Sequence, residues 1–187
     1  HVADRLASSE GGYALDGTAD LPDSLGALWA ARVDQALQGC SDDTAVALEL
    51  AALVGPDVDA RLWQRSCQRA GVEAPDTLAP RLAGMGLAVT RANGSFELAH
   101  ALFADSIVER ARAAGRLAGH HMACAEAMLA GHDLNRGRIG VHLMGAGRNA
   151  EAAVFLGTGA LEAAAAGDVG RAATLSTLAD QARSLPQ

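Results

Sequence analysis

The chain has 187 residues, half of them hydrophobic but only 3% aromatic, and a formal charge of −7. That length buries a core without staples, as one large domain or two small ones, while the acidic balance argues against the broad basic face of a nucleic-acid binder. All 15 cationic side chains are arginine; with the abundance of alanine, the strongest helix former, this reads as compositional bias toward thin, closely packed helices.

Residues 1–21 are rich in Gly, Ser and Asp, with one short strand signal at Gly12-Tyr13-Ala14-Leu15. They read as the remnant of a linker, and the absence of an initial methionine leads us to expect a fragment of a longer protein. Leu21-Pro22-Asp23-Ser24 marks a helix start with Asp23 or Ser24 as N-cap. From there Leu25, Leu28, Trp29, Val33, Ala36 and Leu37 recur at helical spacing until Gly39. Ser41-Asp42-Asp43 caps a second helix with Val46, Leu50 and Leu53 as its inner stripe, broken by Gly55-Pro56. Helices over 58–70, with Leu62 and Trp63 inward, and 77–85, with Leu78 and Leu82 inward, follow.

Residues 87–98 carry the best hairpin signal in the chain. Leu87 and Val89 alternate on one arm, Phe96 and Leu98 on the other, around Asn93-Gly94, a pair that supplies the positive φ angles of a tight turn. A helix over 100–114 opens at His100. Three helices followed by a lone hairpin is the order of a winged helix, expected over 22–115.

Past Gly115 the sequence predicts helices over 117–130, 138–146, 150–166 and 169–184, separated by glycines as in stacked antiparallel helical hairpins. Residues 145–153 and 165–173 look alike: a small-residue helix end, a Gly turn, then Ala-Ala in the next helix. The expectation for 116–187 is a TPR-like helical-repeat domain, although this repeat is shorter than a tetratricopeptide unit. The fold class is therefore mainly α: a winged-helix module with one β-hairpin, then TPR-like antiparallel helical repeats.

Several segments together resemble one family. Leu21-Pro22-Asp23-Ser24-Leu25 with Ala31-Arg32-Val33-Asp34 resembles the helix that follows the ATPase core of STAND-class signal-transduction NTPases, the MalT-like multidomain regulators of bacteria. Ala51-Ala52-Leu53-Val54-Gly55 resembles their next helix. Phe96-Glu97-Leu98-Ala99-His100-Ala101-Leu102-Phe103 is similar to the family's "FxFxHxLxxExxY" segment, whose Glu and Tyr are replaced here by Asp105 and by Ile107 or Val108. His121-Met122-Ala123-Cys124-Ala125-Glu126-Ala127 resembles the helix after it. The resemblance implies that the winged helix packs on an upstream nucleotide-binding domain rather than reading DNA, and that the helical repeats sense a protein or small-molecule effector. It also implies that His100 touches the phosphates of ATP or ADP bound by the parent protein, a role a helix N-terminus favours electrostatically. The chain has no lysine, hence no P-loop; no cofactor and no catalysis are expected in this fragment.

Other candidates are weaker. His121 and Cys124 lie three apart on one helical face, but zinc needs three or four ligands and a supporting shell, so no metal is expected. Arg81 is the single basic group on the helix in the DNA-recognition position, where several base-reading side chains are needed. Arg110, Arg112 and Arg116 read as a solvated run paired with Glu109 and Asp105. No serine, cysteine or carboxylate pair stands in a catalytic context. The surface expected to bind an effector is a groove after Gly131 lined by Leu143, Met144, Phe155 and Leu156, residues that serve equally well as core. Cys40, Cys67 and Cys124 are odd in number and widely spaced, which fits free thiols in a reducing compartment. No run approaches the ~20 apolar residues of a membrane span and there is no secretory pattern, so a cytoplasmic location is expected. A DNA-binding winged-helix transcriptional regulator and a pure protein–protein scaffold remain as alternative functions.

Overall fold

The computed structural model describes residues 6–9, 12–15, 25–132 and 135–185; the expected cap at Asp23 or Ser24 lies outside them. In chain order the elements are β1 (Leu6–Ser9), β2 (Gly12–Leu15), α1 (Leu25–Leu37), α2 (Asp42–Val54), β3 (Asp57–Val58), α3 (Ala60–Arg69), α4 (Leu78–Gly84), β4 (Ala88–Thr90), β5 (Phe96–Leu98), α5 (Ala101–Ala113), α6 (Leu117–Ala130), α7 (Arg136–Gly145), α8 (Asn149–Ala165) and α9 (Val169–Ser184). The chain is mainly helical, and among the described residues no helix is long and apolar enough to cross a membrane.

Two sheet features were not anticipated. The short strand signal at Gly12–Leu15 is half of a second antiparallel hairpin, with Leu6 opposite Leu15. The break at Gly55-Pro56 also leads first into β3, which pairs antiparallel with β5 and completes a three-stranded sheet of order β3-β5-β4. Only then does α3 begin, its N-cap Asp59 accepting a hydrogen bond from Leu62 N–H at 2.8 Å.

The hairpin turn differs from the expected type. Arg91 and Ser95 form its last backbone pair, Gly94 N–H donates to Arg91 O, and Gly94 has the positive φ, +80°, in this turn. This is a type I turn closed by a bulge glycine, in which Asn93 serves through its side chain by accepting from Ser95 N–H at 3.1 Å. The register puts Ala88 opposite Leu98 and Val89 opposite Glu97. Leu87, Ala88, Phe96 and Leu98 are buried, while Val89, which alternates with Leu87 in the sequence, is exposed.

Helix α2 is the centre of the molecule. The expected stripe of Val46, Leu50 and Leu53 understates it: Ala45, Ala47, Leu48, Glu49, Leu50, Ala51 and Val54 are all buried, and Val46 and Leu53 lie at the margin. Helix α1, by contrast, buries only Val33 and Ala36 fully and leaves Leu25 and Leu28 exposed. The expected boundary near residue 115 falls in the α5–α6 turn, yet one hydrophobic cluster runs from Val33 through Met128 to Ala182. The two look-alike segments form the same turn: Arg148 N–H donates to Leu143 O and Asp168 N–H to Ala163 O, both at 2.9 Å. Helices α7, α8 and α9 then pack as consecutive neighbours, close enough that Gly159 lies against the backbone of Gly137 and Gly140 against Leu156.

Candidate functional site

His100 occupies the corner where the sheet becomes a helix. It is the N-cap of α5, its backbone extended at φ −139° and ψ 123°, and its side chain makes no capping hydrogen bond. The ring is exposed on one side and lies 5.1 Å from the Trp29 ring on the other, with Trp29 a further 6.2 Å from Phe103. Trp29 Nε1 is buried with no acceptor among the described residues. No hydrogen-bond partner of the His100 ring nitrogens is found among the described residues.

Behind this corner lies a polar knot that the sequence reading missed. Glu49 is 1% exposed and accepts from three sides: Arg116 Nε–H donates to Oε2 at 2.9 Å, Arg116 Nη2–H to Oε1 at 2.5 Å, and His120 Nε2–H to Oε2 at 2.8 Å. Burial alone would raise the Glu49 carboxyl. The hydrogen bonds from His120 and Arg116, with the Arg116 charge, outweigh burial and hold it below the ordinary carboxylate value. The same hydrogen bond raises Arg116. Arg110 pairs with Asp34 at 2.7 Å and approaches Glu49 at 4.0 Å. The expected solvated arginine run is therefore mostly structural. Arg112, paired with Glu109 at 3.1 Å, behaves as expected, whereas Arg110 and Arg116 project toward Glu49, the one buried anion among the described residues. The available signal was a single carboxylate in the apolar run Ala45–Val54.

Two further arginines join the halves of the chain. Arg138 of α7 donates to Val54 O at the C-terminus of α2, and Arg65 of α3 donates to Ala127 O in the last turn of α6 at 3.2 Å. Each charge meets the negative end of a helix in the other half.

His121 does not join Cys124 in a ligand pair. Its Nδ1 lies 3.1 Å from Nδ1 of the buried His142, with ring centroids 5.3 Å apart. Burial, then the neighbouring charges of His121 and Arg138, pushes His142 down to about 3, and burial with Arg112 and His120 lowers His121. Two neutral rings sharing one proton between facing nitrogens satisfy both. Burial pushes Cys124 up to about 11 and Cys67 up to about 12, so both thiols stay protonated and un-nucleophilic at neutral pH. Among the described residues no three His, Cys, Asp or Glu side chains converge as a metal site.

The chain matches no known protein family. Compared with characterised proteins and with solved structures, it likewise gives no match. Function therefore rests on the geometry.

In the expected effector groove, Leu143 and Leu156 are core, 2% and 0% exposed, and Met144 and Phe155 are half-buried beside them. The groove is filled by its own side chains because Gly140 lets α7 and α8 close on Leu156. On α8 the large apolar residues that reach solvent are Val154 and Leu161, while Val141 on α7 and Val169 on α9 are exposed as well. Arg81 is equally unavailable: its Nη2–H donates to Gln38 O just past the end of α1, at 2.6 Å. Helix α4 is left with no free base-reading cation.

Proposed function

We propose that this chain is a non-catalytic regulatory segment of a STAND-type ATPase, a winged-helix module followed by TPR-like repeats that relays the nucleotide state of an upstream domain to an effector-sensing surface in the cytoplasm. The succession α2, β3, α3, α4, β4, β5 with strand order β3-β5-β4 supports the winged-helix reading. The repeated turns between α7, α8 and α9 support the second half. The observation that carries the proposal is His100: exposed, uncapped, and at the head of the 13-residue α5. A terminal phosphate there gains a ring N–H and the unpaired N–H groups of a helix start. The Glu49 knot and the Arg65 and Arg138 clasps tie that corner to the helical half, so a displacement at α5 reaches α6 and α7 as a unit.

The test is ADP release from the parent protein carrying the upstream domain, followed with a fluorescent nucleotide. A charge-assisted hydrogen bond contributes about 1.5–3 kcal/mol, so His100→Ala speeds release by about tenfold or more. An unchanged rate, or an upstream region without a P-loop, overturns the proposal. The exposed ridge on α8 favours a second reading, a scaffold in which the helical half binds a partner and nucleotide plays no part; that is the reading left standing by such a result.

A further inference from the structure

The facing rings of His121 and His142 lie where the two halves of the chain meet, one on α6 and one on α7. Gly145 makes this seam tight: a Cβ there would stand 2.6 Å from the His121 ring, so α7 closes directly over the imidazole. The two Nδ1 atoms, 3.1 Å apart, are joined by one proton, one ring donating and the other accepting. That bond survives one added proton, on the far nitrogen of the donor ring. It does not survive two, which turn donor toward donor in a seam where His142 is 4% exposed.

The surroundings add to that cost. Among the described residues the charges acting on the two rings come from Arg112 of α5, His120 of α6 and Arg138 of α7, all cationic or able to become so. Carboxylates on the elements packed against the seam are engaged elsewhere. Glu49 of α2 is held by Arg116 and His120, Glu109 of α5 by Arg112, and Glu126 of α6 by Arg69 of α3. Glu151 and Glu162 of α8 pair with Arg148 and Arg136, and Asp168 caps α9. Beyond the seam, α7, α8 and α9 hold one another closely, Gly140 against Leu156 and Gly137 against both Gly159 and Leu175. The first half keeps its own sealed core around Leu48, Trp63 and Phe96. Arg138 also crosses the seam, donating to Val54 O, but acid does not change its charge.

We infer that the His121–His142 pair is an acid-released catch: protonating both rings opens the α6–α7 seam and frees α7, α8 and α9 as one unit, while the first half keeps its fold. The inference does not depend on the proposed function. A unit of about 50 residues, Arg136 to Ser184, is marginal by itself, so its amides exchange once it is released. Native-state hydrogen exchange of the 187-residue chain in low urea, read by mass spectrometry at pH 7 and pH 5, tests the inference. After correction for intrinsic rates, the expected result is that α7–α9 open about 25-fold more often at pH 5, the factor supplied by one ring of ordinary value 6.5. Their urea dependence is smaller than that of α2, because a partial opening exposes less surface. His142→Asn, which keeps a donor and an acceptor but does not titrate, removes the acid increment. His121→Asn, at the half-buried partner, does the same. Exchange of α2 and α7–α9 at one common rate with one urea dependence at pH 5 overturns the inference, since acid then unfolds the chain as a whole. Exchange in α7–α9 that ignores pH overturns it too, as does an acid increment that survives both substitutions.

Discussion

The His121–His142 pair makes acid stability a quantitative prediction. His142 titrates at about 3 in the fold against an ordinary value of 6.5. Its folded value is depressed, so the unfolded chain takes up a proton that the folded chain refuses once the pH falls below 6.5. Stability is then lost at about 1.36 kcal/mol per pH unit until the folded ring itself titrates. Between pH 7 and pH 5 this amounts to about 2 kcal/mol from His142 alone, with a ceiling of about 5 kcal/mol near pH 3. His121 is lowered as well and adds in the same direction. Glu49 acts with the same sign but in a lower window: its depressed carboxyl contributes stability above 4.5 that is lost only as the pH falls further. The interval from pH 6.5 to 5 therefore isolates the imidazoles. Urea unfolding followed by tryptophan fluorescence at half-unit pH steps measures the slope, and His142→Asn removes most of it whatever that variant does to absolute stability. A flat wild-type profile across this interval, or an unaltered slope in the variant, refutes the reasoning.

Arg116→Ala leaves the Glu49 carboxylate buried with His120 as its remaining close partner, and costs about 2–4 kcal/mol in the same urea assay. Arg112→Ala breaks only an exposed pair with Glu109 and stays within about 0.5 kcal/mol of wild type. Gly159→Ala drives a Cβ to 2.6 Å from Gly137 N, backbone against backbone, and lowers the melting temperature by several degrees, about 2 kcal/mol or more. Gly119→Ala, in α6 with open space around it, raises stability by about 0.5–1 kcal/mol through helix propensity.

What the sequence discloses and what it hides follow from the range of the forces involved. The helices over 117–130 and 169–184 were legible to the residue, because the glycines and small residues that separate them are local signals. Strand β3 was hidden: two residues carry no period, and its existence depends on β5, whose Phe96 lies opposite Val58 thirty-eight positions away. The same distance hid the polar knot. The run Arg110, Arg112 and Arg116 lies close to Asp105 and Glu109 in sequence and reads as their partner, but Glu49, sixty-seven residues before Arg116, takes that arginine. An exposed i, i+4 pair contributes only a few tenths of a kcal/mol, whereas a buried carboxylate without a donor costs several. Long-range desolvation therefore overrides local pairing wherever a charge is trapped in the core. The groove at Leu143 and Leu156 is closed by another contact that is not local: glycines at 137, 140 and 159 let the helices approach until those leucines are sealed.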